Sequence, residues 1–346
     1  MPNLSIPPTM KAWQYSSTKG GLEKNLNLNE SAPLPKPNPD QHLIQVIAAA
    51  LNPVDYKPQE IPFIARFLLP KPATPGIDVV GKVMQPANGS AVRPGQIIFG
   101  ASGTGILAGG ALAGYAVAKK DAVAVLPEGI DPVLGATVCI AGLTAHQSIA
   151  SHVKDGSNVF INGGSGGTGI FGIQIAKAKG CYVTTSCSTP NVDLCKSLGA
   201  DEVIDYKKQS VLGALKASGR KYDHVVDNVG HNSELYWKCH EYTTSRAVFV
   251  QVGASVSASF ALESAAMRLL PGVLGGGQRK YQTFFADMKG EDLADIGRMI
   301  KNGQVKPVID TKFPFEDAPK AFERLKTGRA KGKIVVEVGT DSAEAM

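Results

Sequence analysis

Seven residues in a row, Gly163-Gly164-Ser165-Gly166-Gly167-Thr168-Gly169, carry the clearest chemical signal in the chain. They sit between an apolar run, Ser157 to Ile161, and a helical one, Ile170 to Lys179. Glycines let a backbone approach a phosphate closely, and a helix N-terminus offers unpaired N–H groups and a partial positive charge. The loop is therefore expected to hold the pyrophosphate of a dinucleotide. Its spacing is G-x-x-G-x-x-G rather than the usual G-x-G-x-x-G, so the order strand, loop, helix, strand gives the reading its weight. An acid about 20 residues further on would grip the ribose 2′-hydroxyl of NAD and repel a 2′-phosphate. The chain reads Thr185-Ser186-Cys187-Ser188 there, with no Asp or Glu, and NADPH is the expected cofactor.

Such a loop needs a parallel sheet to present it, and the second half of the chain has that grammar. Val133 to Ser151 has helical periodicity. Strands are expected at Tyr182 to Thr185, Glu202 to Ile204, Tyr222 to Val226 and Ala247 to Val250, with a helix near Val192 to Leu198. Strands alternating with helices imply right-handed βαβ units. Before Asp131-Pro132 the pattern is short β-type runs broken by Pro, Gly and Asn, among them Lys11 to Tyr15, His42 to Ala48 and Val79 to Met84. These read as barrel-like β structure. After Pro307 a β-type run returns, followed by a helix, Ala318 to Thr327, and a strand, Lys333 to Val338. The expected class is α/β, with a β-rich domain from residues 1–132 and 308–346 and a doubly wound domain from 133–307.

Length and composition agree and exclude other classes. A chain of 346 residues suits two domains at roughly 100–200 residues each. The 36 basic and 30 acidic residues leave a charge of +6, but the basic ones are scattered and few are interleaved with aromatics, which argues against a nucleic-acid partner. Five cysteines without C-x-x-C spacing suit reduced thiols and give no cysteine metal cluster. No apolar run approaches the ~18 residues of a membrane span, and Met1 to Met10 has neither the charged nor the apolar region of a secretion signal. A cytoplasmic location is expected.

Several further motifs occur in order: Asn52-Pro53-Val54-Asp55-Tyr56-Lys57, Pro75-Gly76-Ile77-Asp78-Val79-Val80-Gly81, Gly142-Leu143-Thr144-Ala145, Leu198-Gly199-Ala200-Asp201-Glu202-Val203-Ile204-Asp205-Tyr206, and Gly332-Lys333-Ile334-Val335-Val336. With the glycine loop they resemble the medium-chain dehydrogenase/reductase superfamily, and within it the fungal-like, zinc-independent quinone oxidoreductase and enoyl (enone) reductase branch. The resemblance runs from about Met10 to Val338. It implies a GroES-like catalytic domain around an inserted Rossmann domain, with nicotinamide and substrate meeting in a cleft between them. By motif position, Gly163, Ser165, Gly166, Gly167 and Thr168 would hold the pyrophosphate. Ser186, Ser188, Asn191 and Tyr206 would surround the 2′-phosphate, while Thr144, Asn228, Val252, Gly253 and Lys333 complete the cofactor set. Relatives often carry Lys or Arg just before that Asn, where this chain has Pro190.

Zinc alcohol dehydrogenases of the superfamily have a ligand Cys where this chain has Asn52, and Gly-His-Glu where it has Gly76-Ile77-Asp78. Isoleucine cannot ligate, and catalytic zinc takes three protein ligands, so no metal site is expected. Conjugate hydride addition spreads negative charge over an enolate, which hydrogen-bond donors can stabilise. The expected substrate is a small hydrophobic conjugated carbonyl or a quinone. Candidate catalytic residues are Lys57 and Tyr56 as donors, Asn52 as an orienting amide and Asp55 as the residue that positions Lys57. Two other readings stay open: a trans-acting enoyl reductase of a polyketide pathway, and a non-catalytic NADPH-binding sensor or trafficking factor. Monomer and homodimer also stay open, and Ala254 to Gly277 reads as either a plain loop or a mobile lid.

Overall fold

Val159, Phe160 and Ile161 are fully buried, as in a strand covered on both faces, and they form the centre of the strand Asn158–Asn162. The computed structural model describes residues 5–103, 109–253, 258–270 and 276–339. Around this strand runs a six-stranded sheet in the order Glu202–Asp205, Tyr182–Cys187, Asn158–Asn162, Tyr222–Asp227, Thr243–Gln251, Lys280–Thr283. Every pairing in it is parallel. The strand order reverses at Asn158–Asn162, so the chain leaves that strand at the topological switch point, where sheets of this kind bind ligands. The last strand, Lys280–Thr283, leaves only a weak trace in the sequence, because only one of its four residues is buried.

A second compact unit carries a seven-stranded sheet in the order Ile309–Pro314, Lys333–Glu337, Gln41–Leu51, Asp78–Gln85, Ile97–Ala101, Val123–Val125, with Tyr115–Lys119 also paired to Gln41–Leu51. All but one of these residues of Gln41–Leu51 are buried, which makes it the spine of the unit. The chain ends meet on it: Ile334 to Glu337 pair antiparallel with Leu51 to Ala48. Trp13 Nε1 donates to the Phe315 carbonyl at 2.7 Å, tying the first strand to the C-terminal segment. The architecture is the expected GroES-like domain plus Rossmann-like parallel sheet.

The boundaries differ from those expected at 132/133 and 307/308. The β-rich unit takes the residues through Leu143, Asp287–Gly303 and those from Pro307 on, and the parallel-sheet unit takes Thr144–Ala286 and Gln304–Lys306. The helix Gly290–Lys301 accounts for much of the difference. It buries Leu293 and Ile296, its first N–H donates to the Asp121 carbonyl at 2.6 Å, and Lys301 Nζ donates to the Glu128 carbonyl. The helix expected over Val133 to Ser151 is broken into Pro132–Gly135 and Cys139–Ala150. The restart is fixed by the carboxylate of Asp78, which accepts the Ile140 N–H at 2.9 Å. Of the excursion Ala254 to Gly277, the helix Ala258–Leu269 is described; the rest of the expected lid lies largely outside the described residues. Among the described residues no helix is long and apolar enough to cross a membrane.

His224, on the strand Tyr222–Asp227, is fully buried and donates from Nε2 to the Ser148 carbonyl at 2.7 Å. Its ring stacks on His152 with centroids 4.8 Å apart and planes 11° from parallel. Burial, reinforced by the charge of His152, pushes its pKa down to about 4 from 6.5. The unfolded chain takes up this proton first as pH falls, so stability is lost between pH 6.5 and about 4. His224→Gln should flatten that dependence. Urea unfolding at pH 7 and at pH 4 should show wild type losing about 3 kcal/mol more than the variant, and an equal loss in both would clear His224.

Candidate functional site

The glycine loop is forced into shape by contacts that leave no room for a side chain. A Cβ on Gly164 would lie 2.1 Å from Thr185 Oγ1, and one on Gly169 would lie 2.2 Å from the Gly163 carbonyl oxygen. Thr185 is held in turn, its hydroxyl donating to the Ile161 carbonyl at 2.7 Å. The strand therefore turns sharply into the helix Gly167–Ala178, which starts on Gly166 with no side-chain cap. A helix start without a cap leaves first-turn N–H groups for an anion.

Behind the loop, the ends of three adjacent strands are laced together. Ser186 Oγ donates to Asn162 Oδ1 at 2.5 Å and accepts the Gly163 N–H at 3.0 Å. Asn162 Nδ2 donates to Asp227 Oδ1 at 2.8 Å, which also accepts the N–H groups of Val229 and Gly230 at 2.9 and 3.2 Å. The Asp227 carbonyl accepts from Val252 and Gly253, each at 2.9 Å, and Asn228 N–H donates to the Asn162 carbonyl at 3.1 Å. Gly163, Asn228, Val252 and Gly253 are thus brought to one end of the sheet. Asn162, Thr185 and Asp227 were missed; the only sequence signal is a polar residue closing or nearly closing an apolar strand.

Ser186 is placed differently from expectation. It is 1% exposed and spends its hydroxyl on the loop, so it shapes the site rather than facing a 2′-phosphate. Asn191 Nδ2 donates to Ser165 Oγ at 2.9 Å, bridging the two loops, while its Oδ1 and that of Asn228 find no hydrogen-bond partner among the described residues. Ser188 precedes the short turn Thr189–Asn191 without capping it. Tyr206 is half exposed and its N–H donates to the Cys187 carbonyl at 3.1 Å. Thr144 is a buried residue of the helix Cys139–Ala150. Close-approach glycines, an uncapped helix start and two buried amide oxygens in want of donors fit a dinucleotide.

The Asn52 turn lies in the β-rich unit. Past the end of Gln41–Leu51, Asn52 N–H donates to Asp55 Oδ2 at 2.7 Å and the Asn52 side chain accepts the Asp55 N–H in return. Lys333 is inserted beside this turn: its Nζ donates to the Leu51 carbonyl at 3.2 Å, to Asp78 Oδ2 at 3.1 Å and to Asn52 Oδ1. Lys333 is 2% exposed and Asp78 fully buried. Expected among the cofactor residues, Lys333 instead gives its three hydrogens to protein acceptors. Burial, then repulsion from Asp78, pushes the Asp55 carboxyl up to about 7, partly offset by the Asn52 N–H and Lys333. The Tyr56 ring packs on the core with Lys326 Nζ 5.0 Å from its centroid, and burial raises its phenol. Lys57 follows, half-buried, its N–H donating to the Pro53 carbonyl at 2.9 Å.

Residues 38–128 match the family described as alcohol dehydrogenase GroES-like domain, and residues 198–336 the family described as zinc-binding dehydrogenase. The chain is 46% identical to the trans-enoyl reductase pgmF of Aspergillus terreus, over 96% of this chain and 98% of that protein. It is 35% identical to the chloroplastic quinone-oxidoreductase homolog of Spinacia oleracea, over 95% and 98%. Among solved structures, the quinone oxidoreductase from Coxiella burnetii superposes with a TM-score of 0.82 at 29% identity, covering 95% of this chain and 99% of that one. The zinc implied by one family description does not fit the residues present. An ammonium group, an amide and Asp78 occupy the turn, Ile77 offers no ligand, and among the described residues no three His, Cys, Asp or Glu side chains gather to hold a metal. Similarity over nearly its whole length to proteins of one kind identifies the chain as an oxidoreductase of the medium-chain dehydrogenase/reductase superfamily, akin to its quinone oxidoreductases and enoyl reductases, with a nicotinamide dinucleotide as cofactor.

Proposed function

We propose that the protein uses NADPH to reduce the conjugated C=C bond of α,β-unsaturated carbonyl compounds, or quinones, without a metal. The observation that carries this reading is the buried ammonium of Lys333 bonded to Asn52 and Asp78, beside which the described residues gather no set of metal ligands. Reduction of an isolated carbonyl concentrates charge on one oxygen. Conjugate reduction delocalises it, and ordinary donors then suffice. Similarity to a trans-enoyl reductase favours an enoyl thioester within the substrate class, free or carried by a protein.

NADPH, when bound, supplies the hydride. The protein's part is to hold and to donate. The N–H groups at the start of the helix Gly167–Ala178, with Ser165 and Thr168, hold the pyrophosphate. Lys333 fixes which end of the Asn52 amide accepts, leaving its NH2 as the donor end. Lys57 holds the substrate's carbonyl oxygen as charge develops and supplies the proton that the α-carbon takes up, with the Tyr56 hydroxyl as the second donor. The strand Lys280–Thr283 closes one edge of the parallel sheet and offers its outer side to a second copy in a homodimer.

The reading is checked by following NADPH absorbance with a quinone, an enone, an enal, an enoyl thioester and a saturated aldehyde. Oxidation is expected with the conjugated acceptors only and faster with NADPH than with NADH; turnover of the saturated aldehyde alone would defeat it. Lys57→Ala should lower kcat by at least about tenfold while the NADPH dissociation constant stays within about twofold. Wild-type turnover in that variant would take Lys57 out of the mechanism.

A further inference from the structure

We infer that Lys207 recognises the 2′-phosphate of the cofactor, a reading that rests on NADPH being that cofactor. Of the residues expected around the phosphate, Ser186 has turned inward, Asn191 is neutral and gives an amide hydrogen to Ser165, and Pro190 brings no charge. What remains is the hydroxyls of Ser188 and Tyr206. Both are neutral, and a group of nearly two negative charges is discriminated from a hydroxyl chiefly by a cation.

The sheet register shows where a cation stands. Asp205 pairs with Cys187 in parallel register, so Ser188 and Tyr206 leave adjacent strands side by side, linked by the Tyr206 N–H to the Cys187 carbonyl at 3.1 Å. The next residue is Lys207. Its N–H donates to Asp205 Oδ1 at 3.0 Å, which turns the chain, and its ammonium lies 5.5 Å from the centroid of the Tyr206 ring. Lys208 comes nearer the Asp205 carboxylate, at 4.0 Å, and the charge of Lys207 also acts on that carboxylate. Among the described residues Lys207 makes no ion pair, and its side chain is exposed. The cation missing at position 190 is thus supplied from the end of the third strand, resting on the aromatic ring that borders the same loop.

Titration calorimetry of the full-length protein with 2′,5′-ADP and with 5′-AMP isolates the phosphate. Wild type should bind 2′,5′-ADP the more tightly, by a margin that shrinks as salt is added. Lys207→Ala should weaken 2′,5′-ADP by at least about fivefold and Lys207→Glu by at least about twentyfold, with 5′-AMP, which also reports folding, changed by less than about twofold. Lys208→Ala should keep the wild-type ratio. Lys207 variants that keep the ratio, or an equal loss in Lys208→Ala, would overturn the assignment while leaving the cofactor reading standing. A wild type with no preference for 2′,5′-ADP would overturn both.

Discussion

Lys333 carries a full positive charge into a protein core, and much of the β-rich unit is arranged around satisfying it. Burying an ammonium group is expensive unless every hydrogen finds an acceptor and a counter-charge is close. Leu51, Asn52 and Asp78 meet that demand, each from a different part of the frame: the end of the spine strand, the turn after it and the strand paired beside it. Removing one partner of such a pair costs about 3–5 kcal/mol, because the other is left buried and charged. Asp78 uses its second oxygen on the Ile140 N–H, so the same ion pair also sets where a helix begins. With an amide oxygen held by Lys333 and its own N–H held by Asp55, Asn52 has one orientation.

The parallel-sheet unit solves a different problem with neutral groups and one inward carboxylate. A site for phosphates must present N–H donors and keep fixed negative charge away from them. Asp227 lies at the end of a central strand, yet its Oδ1 is committed to Asn162 and to the N–H groups of Val229 and Gly230. Its negative charge stiffens the strand ends instead of facing a ligand. Ser186 works the same way: a hydroxyl that on sequence grounds belonged to the ligand is the link between Asn162 and the glycine turn.

What was legible in the sequence was whatever a single stretch of backbone dictates. The glycine loop is readable because no residue with a Cβ fits at Gly164 or Gly169, and Asn158–Asn162 because three consecutive apolar residues are buried. What was illegible depends on distant partners. The break before Cys139 is capped by a carboxylate 62 residues earlier. Lys333 stands 281 residues from Asn52, and the resemblance places it with the cofactor instead. Ser186 and Ser188 are alike as residues, and only the pairing of Tyr182–Cys187 with its neighbours decides that the first turns inward. Residues 290–301 lie within the range 133–307 expected for the doubly wound domain, whereas the helix Gly290–Lys301, with Leu293 and Ile296 buried, belongs to the other unit.

These two ways of handling charge bear on what the protein can reduce. A lone carbonyl demands concentrated positive charge at one oxygen, and in the Asn52 turn the concentrated positive charge is already neutralised by Asp78 and enclosed. An acceptor whose developing charge is spread over a conjugated system needs less at any one atom. Asp55 bears on the same point: burial pushes its carboxyl up to about 7, so it is only partly ionised near neutrality. If the turn meets the substrate as proposed, its electrostatics constrain the substrate class as directly as shape does.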